Sequence, residues 1–111
     1  MKTVIYCRVG NKSQTVEVQK ELCIQALDQS DELVEIFEDI GFSGIGFDRP
    51  SLLQLMEDAS EEKFEKVLVY EPSRLFRDTS KILEFRNGLE QMGIELKSAK
   101  GNFEDLHISI K

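Results

Sequence analysis

Arg8, Arg49, Arg74 and Arg77 fall in three polar segments of a chain that otherwise alternates short apolar runs with helical patterns. A guanidinium is permanently charged and presents a planar fork of donors that matches phosphate oxygens. Gathered together, four such groups would repel one another unless an anion lay between them. The same segments carry Asn11, Lys12 and Gln14, then Asp39 and Ser43, then Ser73. The alternative is that each arginine pairs separately with a carboxylate, and the 21 acidic residues supply ample partners. One residue type recurring in three separate connections argues instead for a phosphate site, provided the fold brings those connections to one edge.

The surrounding pattern predicts that it does. Thr3 to Cys7 is a β-branched and aromatic run that reads as a buried strand. From about 15 to 29, Val16, Gln19, Leu22, Cys23, Ala26 and Leu27 recur at helical spacing, with Ser13 or Thr15 as the cap. Glu32 to Phe37 reads as a second strand, and Gly41, Gly44 and Gly46 make 39–49 a loop. Pro50 opens a helix where its missing N–H costs nothing, with Leu52, Leu55, Met56 and Ala59 as the buried stripe. Val67 to Tyr70 is a third strand and Glu71 to Arg77 a polar connection. A helix over about 78–92 turns Ile82, Phe85, Leu89 and Met92 inward and stops at Gly93. Gly88 inside it suggests close packing against a neighbour. Ile94 to Lys97 is a fourth strand, and Leu106 to Ile110 alternates as a candidate fifth, edge strand or exchange partner.

The order β-α-β-α-β-α-β predicts a three-layer α/β fold, a mostly parallel four-stranded sheet with helices on both faces. Ligands of such sheets bind outside the carboxyl ends of the strands. All four arginines follow strand ends in this scheme.

Composition narrows the function. At 111 residues the chain is expected to form a single domain. Its 41% apolar and 32% charged residues are those of a soluble globular protein. No stretch suits a membrane span or a signal peptide, so a cytoplasmic location is expected. A net charge of −7 disfavours a broad basic face for nucleic acid and leaves a focused site. Cys7 and Cys23 read as buried free thiols, and His107, the only histidine, has no partner for a metal site or a Ser-His arrangement.

Spacing carries the reading further. Tyr6-Cys7-Arg8-Val9-Gly10-Asn11-Lys12-Ser13-Gln14, with Gln19 beyond, resembles the Tyr-x-Arg-Val-Ser-Thr-x-x-Gln signature of serine site-specific recombinases, the resolvases, invertases and large serine integrases. Asp39-Ile40-Gly41-Phe42-Ser43-Gly44 with Arg49-Pro50 resembles that family's Asp-x-Gly-x-Ser-Gly…Arg-Pro loop. Ser73-Arg74-Leu75-Phe76-Arg77-Asp78 resembles its Ser/Asp-Arg-Leu/Phe-x-Arg-Asp/Asn motif. Together the three blocks cover roughly 3–98.

The resemblance implies a reaction in which a serine hydroxyl attacks a DNA phosphodiester, giving a 5′-phosphoserine link and a free 3′-hydroxyl. It implies no metal or other cofactor, so arginines must stabilise the pentacovalent phosphate. Arg8, Arg74 and Arg77 match the core arginines and Arg49 the additional basic residue. Gln14 and Gln19 match positions that support the active-site loop, Ser43 a loop serine near the phosphate, and Asp39 the acidic residue. Ser73 stands where some branches have Asp and many large recombinases Ser.

The nucleophile's position holds Gly10, which has no hydroxyl. Ser13 is the nearest substitute, three residues away, where a helix cap is the simpler role. The resemblance also predicts a long dimerisation helix and a DNA-binding domain after the core, and 99–111 does not read as that helix. The expectation is a catalytically degenerate recombinase domain that binds DNA weakly alone and assembles with itself or with an active recombinase. Two alternatives stand beside it: an active recombinase using Ser13, and a non-enzymatic module binding a nucleotide or other phosphorylated ligand.

Overall fold

The computed structural model describes residues 1–9, 16–40, 49–76 and 78–101, the side chain of Arg74 excepted. Gly10, Ser13, Gln14, Ser43, Arg77, His107 and the 106–110 segment lie outside the described residues. The elements are β1 (Lys2–Val9), α1 (Val16–Gln25), β2 (Glu32–Ile40), α2 (Pro50–Ser60), β3 (Lys66–Val69), α3 (Pro72–Leu75), α4 (Thr79–Gln91) and β4 (Glu95–Ser98). The strands form one sheet in the order β2-β1-β3-β4, with every neighbouring pair parallel. The expected α/β layering is therefore present.

Alternation along the strands divides the core in two. One face sets Val4, Tyr6, Val67, Val69 and Leu96 against Leu52, Leu55 and Ala59 of α2 and Ile82, Phe85 and Leu89 of α4. The other sets Ile5, Cys7 and Leu68 against Cys23 of α1. Both cysteines are free and buried. Contact with Cys23 and then burial push the Cys7 thiol up. At the opposite edge from the candidate site, Lys66 Nζ lies 2.9 Å from Asp31 Oδ2, and this hydrogen bond holds the Asp31 carboxyl below its usual range.

Several sequence expectations shift. β1 runs on to Val9 and β2 to Ile40, so Arg8 and Asp39 are strand residues rather than loop residues. Helix α1 ends at Gln25, and Leu22, expected on its inner stripe, is 38% exposed, although Gln19 of the same stripe is buried as expected. The connection 71–77 contains the short helix α3, opened by Pro72. Gly93 adopts φ +77° behind α4, as its role as a stop requires.

Gly88 does not mark a close approach. A Cβ built there would meet Met56 Cε at 3.9 Å, an ordinary van der Waals distance. Gly88→Ala is therefore expected to stabilise the protein by about 0.5–1 kcal/mol through helix propensity alone. Chemical denaturation should show a higher midpoint with an unchanged slope.

Candidate functional site

The carboxyl ends of the strands meet the N-terminus of α2, and the residues there are tied by buried polar contacts. Helix α2 begins at Pro50, and its N-cap residue, Arg49, offers no side-chain cap. The first turn's orphan N–H groups need acceptors from elsewhere. Asp39, 2% exposed, supplies them from β2: Oδ1 accepts from Ser51 N at 2.9 Å and Oδ2 from Leu52 N at 3.0 Å. Ser51 Oγ donates to the Glu38 carbonyl at 2.6 Å. A carboxylate at a helix N-terminus also meets the positive end of the macrodipole.

Asp39 Oδ2 accepts a third bond, from Tyr6 Oη at 2.8 Å. Arg49 Nη1 in turn donates to Tyr6 Oη at 3.2 Å. Burial first, and the bond to Asp39 second, push the Tyr6 phenol up, against an opposing pull from Arg49. The hydroxyl therefore stays protonated and relays Arg49 to Asp39, each bond polarising the next. The Arg49 Cζ lies 4.3 Å from the centroid of the Phe76 ring, a cation–π distance. Phe76 itself packs edge-on against Phe85, centroids 6.0 Å apart. Arg49 is 1% exposed, the largest fully buried side chain described.

Arg8 is the register partner of Asp39 across β1 and β2, and it lies two residues beyond Tyr6, on the same face of the pleat. It is half-buried. With Tyr6, Gln19, Glu71 and Leu75 it lines a cavity of about 10 Å³, room for roughly one water molecule. Ser73 is exposed on α3, which also carries the backbone of Arg74.

The structure thus brings together Arg8, Asp39 and Arg49, with α3 beside them through Leu75. Arg49 differs from the expectation of an open phosphate donor, because Phe76 and Tyr6 cover it. Tyr6 and Phe76 were missed as site residues. Tyr6 reads from sequence as part of a buried strand and Phe76 as part of a polar connection, and only the cross-strand partners of the Tyr6 hydroxyl and the burial of the Phe76 ring against Arg49 reveal their second roles. Among the described residues no group of His, Cys, Asp and Glu could hold a metal ion. Among the same residues no helix is long and apolar enough to cross a membrane.

Comparison with known proteins places this geometry. The family model "Resolvase, N terminal domain" matches residues 3–108. A Bacillus subtilis (strain 168) protein named "Putative DNA recombinase" is 34% identical over 104 residues, 89% of this chain and 20% of that relative. A relative from Acanthamoeba polyphaga mimivirus is 32% identical over 84 residues, 76% of this chain and 42% of the relative. The chain therefore spans between one fifth and about two fifths of the curated relatives it matches. The crystal structure of the N-terminal catalytic domain of TP901-1 integrase superposes with a TM-score of 0.82 at 25% identity, covering 99% of this chain and 90% of that one. The parallel sheet, the order of its helices and the match across nearly the whole chain agree, and the chain belongs to the resolvase N-terminal domain family.

Proposed function

We propose that this chain is a serine recombinase domain that retains a DNA phosphodiester pocket and has lost its attacking group. Arg8, Arg74 and Arg77 are the phosphate ligands. Gln14 and Gln19 support the loop that carries position 10, Ser43 and Ser73 serve beside the arginines, and Asp39 anchors the base of the pocket. The observation that carries the reading is Gly10, two residues beyond Arg8 in a motif whose Tyr6, Arg8 and Gln14 are kept. Glycine cannot form a phosphoester, and removing the nucleophile of a serine enzyme lowers the rate on the order of 10⁶-fold.

Membership of the resolvase family and the position of Arg8 beside Asp39 at the carboxyl edge support a phosphodiester rather than a bulky ligand. With a net charge of −7 the domain binds DNA weakly by itself. Stable engagement comes from assembly with a second copy or with an active recombinase that supplies the hydroxyl.

The test uses the chain as it is, incubated with nicked recombination-site DNA and run on a denaturing gel. No protein–DNA adduct is expected. A covalent band would establish an active enzyme, and its loss in Ser13→Ala would identify the nucleophile. Calorimetry showing tighter binding of mononucleotides than of short duplex DNA would sink the recombinase reading altogether.

A further inference from the structure

We infer that Arg49 is a positioning residue, a buried pin that sets the pocket's geometry, and not one of its phosphate ligands. The inference rests on the phosphate-pocket reading above and divides the arginines into two kinds. Arg8 is half-buried at the sheet edge, whereas Arg49 is 1% exposed. One side of its guanidinium lies beneath the Phe76 ring at 4.3 Å, and Nη1 is spent on Tyr6 Oη. To touch a phosphate in solvent it would have to leave both partners.

What the pin holds is the origin of each connection that carries an arginine. Tyr6 stands two residues before Arg8 on the same face of β1. Its hydroxyl bonds Asp39, which stands next to the last residue of β2 and caps α2. Phe76 follows α3, two residues after Arg74 and one before Arg77 in sequence. A single cation, hydrogen-bonded through Nη1 and centred over the Phe76 ring, therefore touches β1 and the third connection while it starts α2. Lost stacking would let the Ser73–Arg74 segment drift, and misplacement by about 1 Å weakens a preorganised anion site severely.

The two roles differ in their response to salt. A basic residue that neutralises a phosphate contributes about 0.9 to the slope of log affinity against log salt; a pin contributes nothing. Short duplex DNA is titrated into the wild type, Arg8→Gln, Arg49→Gln and Phe76→Leu at several low salt concentrations, at a temperature where circular dichroism shows each folded. Arg8→Gln is expected to lower the slope by about one. Arg49→Gln and Phe76→Leu should weaken binding roughly three- to tenfold at the wild-type slope. A slope reduced in Arg49→Gln as in Arg8→Gln overturns the inference in favour of a direct ligand. Unchanged affinity in both Arg49→Gln and Phe76→Leu overturns it in favour of a purely structural role. If Arg49→Gln does not fold, the Nε–Hε resonances of the wild type decide: DNA should move that of Arg8 and leave that of Arg49 nearly still, and the reverse order overturns the inference. Failure of the wild type to bind any duplex removes the phosphate-pocket reading and the pin with it, an outcome distinct from the others because there the wild type binds.

Discussion

Asp39→Ala is expected to lower the stability of the domain by about 3 kcal/mol, the largest loss from any single polar substitution in the described site. The carboxylate is 2% exposed and accepts from two backbone N–H groups of α2 and from the Tyr6 hydroxyl. Hydrogen bonds to a charged group contribute about 1.5–3 kcal/mol each, and loss of an N-terminal cap costs about 0.5–2 kcal/mol. Partial relaxation and entry of water keep the total below the sum. For a domain of this size the melting temperature should fall by roughly 10 °C. Asp39→Asn should recover little, because its amide NH2 would face donors with a donor. Thermal denaturation of the three proteins at neutral pH measures this directly. A loss under about 0.5 kcal/mol, the scale of an ordinary surface change, would mean that α2 starts equally well without the carboxylate.

Gly10→Ser is expected to produce the largest change in activity. Joined to a cognate DNA-binding region, the variant should form a covalent adduct with site DNA where the parent chain forms none. The gain is on the order of 10⁶-fold in cleavage rate if the missing hydroxyl is the sole defect. Gly10→Ala serves as the control, since it restores a side chain without a nucleophile. The measurement is the fraction of labelled DNA retained with protein on a denaturing gel over time. An adduct in Gly10→Ser but not in Gly10→Ala confirms the assignment of position 10; its absence from both places the defect elsewhere in the pocket. The pin makes a further demand on this experiment. Phe76→Leu added to Gly10→Ser should slow cleavage while leaving the salt dependence of binding as it was.

Most of the scaffold was legible from local pattern. The apolar runs at Thr3–Cys7 and Val67–Tyr70, the stripe of Leu52, Leu55 and Ala59 and that of Ile82, Phe85 and Leu89 all lie where alternation and helical spacing placed them. Strand ends were less legible. Arg8 and Asp39 are polar and so read as loop, yet a parallel partner satisfies the backbone of β1 and β2 as far as Val9 and Ile40. The difference matters, because a residue in a strand has its side chain aimed by the pleat. That aim carries Asp39 onto the N-terminus of α2 and Arg8 onto the side of Tyr6. Helical spacing admits both Gln19 and Leu22 to the inner stripe; Gln19 is buried there, but Leu22 is exposed, because one helix over the sheet buries a narrower arc.

The four arginines show where the two sources of information part. By itself the sequence determined that Arg8, Arg49, Arg74 and Arg77 fall at the end of one strand or in the connections after two others, because the order of strands and helices is a local property of the chain. It also determined the family, through three spaced motifs. Only the tertiary structure decided that Arg49 lies beneath Phe76, bonded to Tyr6 and one step from Asp39. Those partners come from separate elements, and their meeting depends on register, pleat and crossover geometry. No spacing rule records that meeting, because burial of a charge is settled by what surrounds it rather than by its neighbours in sequence.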